Sequence, residues 1–381
     1  MTLRSLVSAA VLLAALFGFF TACSHPSPQN GPEVRRAGVL PTAVSINAAM
    51  NNWNDAARFL AGMPGGMNSP LTAARQTEHW QRFSQNMDEL WRRFSVQRQP
   101  RVASFSRNHL GGLRSPQTLW YPFSGPDLLY AEAFFPGSGT VLLSGLEGSE
   151  MLPNLASLSE GEMNTALDGL YTSLTTALSF SFFITKDMRV DLQRTRLKGT
   201  LPIAMVFLAR LGHDIQNVQA ISVDAAGGLT DSQQGGWPGW LIRASGKQII
   251  YTTGNLADFS LRSDSRYLAF VGSFGRPVTY LKSASYLMHT DDFSMIRDAI
   301  LRRSTAILQD DSGLPLSAFG DAWDLQFFGR YAGVLDIFKS YHQPRLAEIF
   351  ATGGPNVHDM DFGLGYKYEA GESALILARK K

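Results

Sequence analysis

A single cysteine, Cys23, occurs in the 381 residues, and it sets the terms on which the chain can fold. No intramolecular disulfide can form, so the body must be held together by buried apolar side chains and hydrogen bonds. The cysteine closes the run Leu6–Ala22, which is apolar or small throughout and is preceded by Arg4. A short basic segment, an apolar stretch over Leu6–Phe20 (LVSAAVLLAALFGFF) and small residues before the cysteine have the layout of an export signal.

Phe20-Thr21-Ala22-Cys23 resembles the lipobox of bacterial lipoproteins, with Phe20 where that family usually has Leu. The resemblance implies cleavage before Cys23 and a diacylglyceryl thioether and N-acyl chain on that residue. Ser24, rather than Asp, follows, which in the family implies sorting to the outer membrane, facing the periplasm. Two other readings use the same residues. One is an ordinary cleaved signal ending at Ala22. The other is an uncleaved anchor helix, since the apolar run is near the lower limit for a span. The lipid reading has the advantage of explaining the thiol, because a lone cysteine in an exported chain is otherwise odd.

Residues 24–44 (SHPSPQNGPEVRRAGVLPTAV) are rich in Pro, Ser and Gly and lack apolar periodicity. The division expected is therefore signal peptide 1–22, lipidated Cys and flexible tether 23–44, a helical region 45–115 packed on the body, and an α/β domain 116–381. About 335 residues remain after the tether, enough for one large domain or two small ones. A hydrophobic content of 45% supports a substantial core. The chain is close to neutral, and Arg92-Arg93 and Arg302-Arg303 are isolated pairs, which argues against nucleic acid as a partner. The partners expected are the membrane, through lipid on Cys23, and a small-molecule ligand or an envelope protein.

Ser45–Met63 and Thr72–Phe94 have apolar residues at helical spacing, with Ser45 a candidate N-cap. Beyond residue 115 the pattern alternates. Strands are predicted at Thr118–Phe123, Thr140–Leu146, Val218–Val223, Trp240–Arg243, Gln248–Thr252, Leu268–Gly272, Val278–Lys282, Thr305–Gln309 and the terminal SALILARK. Helices are predicted at Leu128–Phe135, with Pro126 at its first position, and at Met163–Phe183, Leu201–Leu211 and Asp292–Ser304. Alternation of this kind implies an α/β fold: a mostly parallel or mixed, Rossmann-like sheet with flanking helices, preceded by a helical N-terminal region.

The unit Thr118–Glu147 runs strand, glycine-containing turn, helix, strand, acid. It resembles the first βαβ unit of the Rossmann-like methyltransferases. There, a glycine-rich turn lets the backbone approach S-adenosylmethionine, and an acid ending the second strand binds the ribose. The resemblance implies a ligand at Ser124, Gly125 and Asp127, with Glu147 as the ribose acid, about 20 residues on. The turn has one glycine where the family has two or three, and Pro126 removes an N–H from the helix terminus. Export also takes the chain away from the compartment expected to supply that cofactor.

Asp310-Asp311-Ser312 follows a predicted strand, where open α/β sheets bind ligands. These acids can ligate a hard cation or act as acid and base; Asp, Ser and Gly also simply favour a turn. The histidines show no metal-ligand spacing, and no G-x-S-x-G elbow is present. Aromatic-glycine segments at Gly235–Trp240 and Phe362–Tyr366 either fold onto the core or present rings to a ligand. No cofactor can be named. The expectation is an envelope lipoprotein that binds a ligand or partner through a degenerate Rossmann-like core. The alternative is an envelope enzyme, hydrolase or methyltransferase-like, using acids at strand ends.

Overall fold

The computed structural model describes residues 52–180, 192, 195–233, 235–369 and 371–381. The segments read as export signal and tether, with Cys23, and residues 45–51 lie outside the described residues. Within them, eleven strands form one sheet: β1 (Thr118–Tyr121), β2 (Thr140–Gly145), β3 (Ile215–Val223), β4 (Leu229–Thr230), β5 (Pro238–Ala244), β6 (Lys247–Thr253), β7 (Val278–Leu281), β8 (Ala306–Asp310), β9 (Trp323–Gly329), β10 (Val357–His358) and β11 (Ala374–Lys380). Their order across the sheet is β10-β9-β11-β8-β7-β1-β2-β6-β5-β3-β4.

The middle of the sheet is parallel. β8-β7-β1-β2-β6 all run one way, and β1, β7 and β8 are buried along their whole length. Near-continuous apolar runs such as TLWY and AIL suit strands covered on both faces. Alternation along β1 sends Leu119 and Tyr121 into one core and Trp120 into the other. The first core holds the helices Leu128–Phe134, Glu160–Phe180 and Leu201–Arg210 together with the N-terminal helices; the second holds Asp258–Ser263, Arg266–Ser273 and Ser294–Arg303. Strand order reverses at β1: the chain steps outward through β2 to β6 on one side, then returns to β7 and β8 on the other. The carboxyl ends of β1 and β7 therefore flank a topological switch point.

Both margins are antiparallel. The hairpin β5–β6 turns through Ser245 and Gly246, both with positive φ, and carries β3 and β4 outward. On the other side β11 inserts antiparallel between β8 and β9. The sequence reading included neither β9 nor the helix Pro344–Thr352.

Four local expectations are corrected. Leu268–Gly272 is not a strand but lies in the helix Arg266–Ser273, whose Tyr267, Phe270 and Val271 sit at helical spacing on the second core. The Thr72–Phe94 helix is broken: a turn at Thr72–Arg75 ends, and Thr77 caps a new helix, Glu78–Gln97, by accepting from Trp80 N at 3.3 Å. Trp53–Leu60 is capped by Asn52, which accepts from Asp55 N at 2.9 Å, and so starts later than Ser45–Met63 implies. Pro126 precedes the helix Leu128–Phe134, whose N-cap is Asp127.

Candidate functional site

The strand ends gather the residues singled out from sequence into one stretch of the sheet's carboxyl edge. Ser124, Gly125 and Asp127 follow β1, Glu147 follows β2, and Asp310, Asp311 and Ser312 end or follow β8. Ser124, Asp127, Glu147, Asp310, Asp311 and Ser312 are all buried. They divide into three sets, each with partners of its own.

The first set joins β1 to β2. Phe123 and Gly125 take positive φ, which turns the chain sharply off the strand. Ser124 N donates to Ser144 O at 2.9 Å, and Ser124 Oγ accepts from Ser144 N at 3.1 Å. A Cβ on Gly125 would lie 3.4 Å from Glu147 Oε1, so the Glu147 carboxylate lies against the glycine turn. Tyr251 Oη donates to Glu147 O at 2.8 Å and lies 3.3 Å from Glu147 Oε2.

The second set lies at the switch point. Asp127 caps its helix, accepting from Tyr130 N at 3.3 Å, and also accepts from Tyr121 Oη at 2.8 Å. Lys282, just past β7, places Nζ 2.6 Å from Asp127 Oδ2, with the two side chains only 3% and 4% exposed. The same ammonium lies 4.1 Å from the Tyr130 ring centroid. Burial first, then the Asp127 charge, push the Tyr121 and Tyr280 phenols well above their ordinary range, so both stay protonated.

The third set is built on β8. Asp310 accepts from Ser283 N at 2.8 Å, from Ser312 N at 3.0 Å and from Ser312 Oγ at 2.5 Å. Burial and then the neighbouring Asp311 charge push its carboxyl up to about 6, against the pull of those donors. Asp311 faces different groups: Tyr286 Oη donates to it at 2.6 Å and Lys367 Nζ at 2.9 Å. The adjacent acids thus serve separate partners. Among the described residues, no group of three or more His, Cys, Asp or Glu is placed to hold a metal ion.

Lys282, Tyr286 and Lys367 belong to the site and were not picked out in the sequence. Lys282 was open to the same strand-end argument as Asp310. Lys367 comes from a loop and carries no local signal. The aromatic-glycine segments turn inward: Trp237, Trp240 and Phe362 are buried, and Tyr366 is half-buried. The two His-Asp pairs form no dyads. His213 Nε2 lies 3.3 Å from Glu132, whereas the Asp214 side chain bonds Asn54; the His358 ring packs, tilted, 5.1 Å from that of Phe328.

Comparison with protein-family models, with curated proteins and with solved structures gives no match.

Proposed function

We propose that the chain is a cell-envelope lipoprotein, held at the membrane through lipid on Cys23 and facing the periplasm, whose Rossmann-like body is a binding module rather than an enzyme. The Asp127–Lys282 pair carries this reading. In open α/β sheets an anionic ligand group is received by the helix N-terminus beside the switch point. Here the chain's own carboxylate caps that terminus and its own ammonium neutralises the carboxylate. The acids of β8 are likewise engaged by Ser283, Ser312, Tyr286 and Lys367. Groups that would have to be available for general acid–base work are in structural use.

A second reading, a methyltransferase-like enzyme, draws on one observation. Glu147 closes β2 against Gly125, as the ribose acid and the glycine turn do in the Rossmann-like methyltransferases.

One experiment separates the two. The full-length protein, purified in detergent, is incubated with labelled S-adenosylmethionine and followed by equilibrium dialysis. The module reading expects no saturable binding. Saturable binding lost in Glu147→Gln would replace it with the enzyme reading.

A further inference from the structure

We infer that the turn Leu364–Lys367 is an internal plug, and that the seat beneath it at the carboxyl ends of β7 and β8 takes a ligand presenting a primary ammonium group next to a phenol, the pair of groups that Lys367 and Tyr366 now supply. The inference rests on the reading of the body as a binding module and names the ligand class of that module.

The seat is built like a recognition site. The Lys367 ammonium is received by the Asp311 carboxylate at 2.9 Å, by the carbonyl of Gly333, and by the face of Tyr331 at 4.9 Å from the ring centroid. A carboxylate, a carbonyl and an aromatic face together are what an ammonium ion needs once it leaves water. The Tyr366 hydroxyl lies 2.6 Å from Ser285 Oγ and donates to Ser283 O at 3.0 Å, with its ring 5.5 Å from Phe338.

The backbone of the turn is pressed onto the floor of the crevice. Gly365 has φ +62°, and a Cβ there would stand 2.6 Å from Asp310 Oδ2 and 2.8 Å from Ser283 Oγ. The turn is closed by the Leu364–Lys367 bridge and belongs to no strand of the sheet.

The floor is strained and incompletely satisfied. Ser283, Ser285 and Tyr286 all take positive φ, between 54° and 56°, within four consecutive positions. Side chains that lose their steric ease in this region are held there by the rest of the structure, and such strain concentrates at binding and catalytic sites. Here the restraint is explicit: Ser283 N is bound by Asp310, and Ala284 N by Ser312 Oγ at 2.8 Å. Among the described residues, the buried Ser283 Oγ, which lies against Gly365, has no hydrogen-bond partner. Unpaired buried polar atoms are rare in folded proteins. A turn that leaves Ser283 Oγ unpaired fits its seat less completely than a ligand with a further donor or acceptor there would.

The test uses the full-length protein in detergent and the blocked peptide acetyl-Gly-Tyr-Lys-amide. The double variant Tyr366→Ala/Lys367→Ala empties the seat and keeps Gly365. Native mass spectrometry should show one peptide bound to the variant, at least tenfold more tightly than to the wild type. A folded variant that binds no peptide, or binds it no better than the wild type does, overturns the proposal. Hydrogen exchange on the wild type decides the matter if the variant does not fold. Amides of residues 363–368 should exchange by local opening at least a hundredfold faster than those of β8 and β11. Exchange of the turn only together with β8 and β11 would make it part of the core and end the plug idea. Neither failure touches the module reading, which turns on S-adenosylmethionine binding at Glu147.

Discussion

Lys282 and Asp127 form a buried ion pair, 2.6 Å apart, that ties the carboxyl end of β7 to the N-cap of the helix following β1. The pair spans the switch point of the sheet. Neither ion is exposed enough to be served by water, so each depends on the other.

Lys282→Met should therefore destabilise the protein by about 3–5 kcal/mol, because it leaves the Asp127 carboxylate buried without its cation. The double variant Asp127→Asn/Lys282→Met should recover much of that loss, since neither member of the pair is then left as an unpaired buried ion. Urea denaturation of the two single variants and the double variant checks this as a cycle. Strictly additive losses would mean that the two groups do not act as a pair.

The β8 acid makes a prediction about pH. The Asp310 carboxyl titrates near 6 in the fold, against an unfolded value near 3.8, so the folded state holds the extra proton between these limits. Its contribution to stability rises as pH falls through 6 and is lost as pH rises above it. His289 acts in the opposite sense: burial lowers it to about 4, so the fold loses stability as acid protonates the unfolded chain below 6.5. The two effects oppose one another between pH 4 and 6. Asp310→Asn removes only the first, and so should lose stability on acidification more steeply than the wild type. The gap between them should widen by up to about 3 kcal/mol from pH 7 to pH 4. Equal slopes in urea melts at pH 7, 5.5 and 4 would show that Asp310 has an ordinary acidity.

The parts of this site that could be read in the sequence are those governed by short-range rules. Thr118–Tyr121, Leu128–Phe134 and Thr140–Gly145 emerge because apolar runs are cut by Gly125-Pro126 and Pro136-Gly137. Their acids then fall at strand ends by position alone. Leu268–Gly272 misleads because four consecutive apolar residues satisfy either period; only Tyr267, one residue upstream, shows the helical spacing. β9 carries a legible strand signal, since Trp323, Leu325 and Phe327 alternate with Asp324 and Gln326. The cation for Asp311 arrives from Lys367, which is 56 residues away. A contact over that separation is made by the fold and leaves no mark in any local window.

Gly125 separates backbone need from packing. It sits at φ +52°, and a methyl group there would meet the Glu147 carboxylate at 3.4 Å. Gly125→Ala should destabilise by roughly 1–3 kcal/mol, from left-handed strain. Gly161 is the control. It lies in the first turn of Glu160–Phe180, and a Cβ there meets nothing within 4 Å. Gly161→Ala should be neutral or stabilising by about 0.5–1 kcal/mol. Thermal melts of both variants test the contrast. A Gly125→Ala protein as stable as the wild type would show that the turn after β1 does not require glycine.

The proposed membrane attachment turns on one sulfur. Each buried CH₂ contributes about 0.8 kcal/mol, so two or three acyl chains on Cys23 would anchor the protein stably where a single chain would leave it in exchange with water. Cys23→Ser removes the thioether and should abolish both palmitate labelling and cleavage of the leader. The variant should then accumulate as an unprocessed precursor, longer by residues 1–22. An ordinary cleaved signal ending at Ala22 gives a different result: the variant would be processed and would appear in the soluble periplasmic fraction. An uncleaved anchor gives a third, in which wild type and variant are both unprocessed, unlabelled and membrane-bound. Palmitate labelling, gel mobility and fractionation of the two proteins distinguish the three, and only a labelled, processed wild type beside an unlabelled, unprocessed variant supports lipid on Cys23.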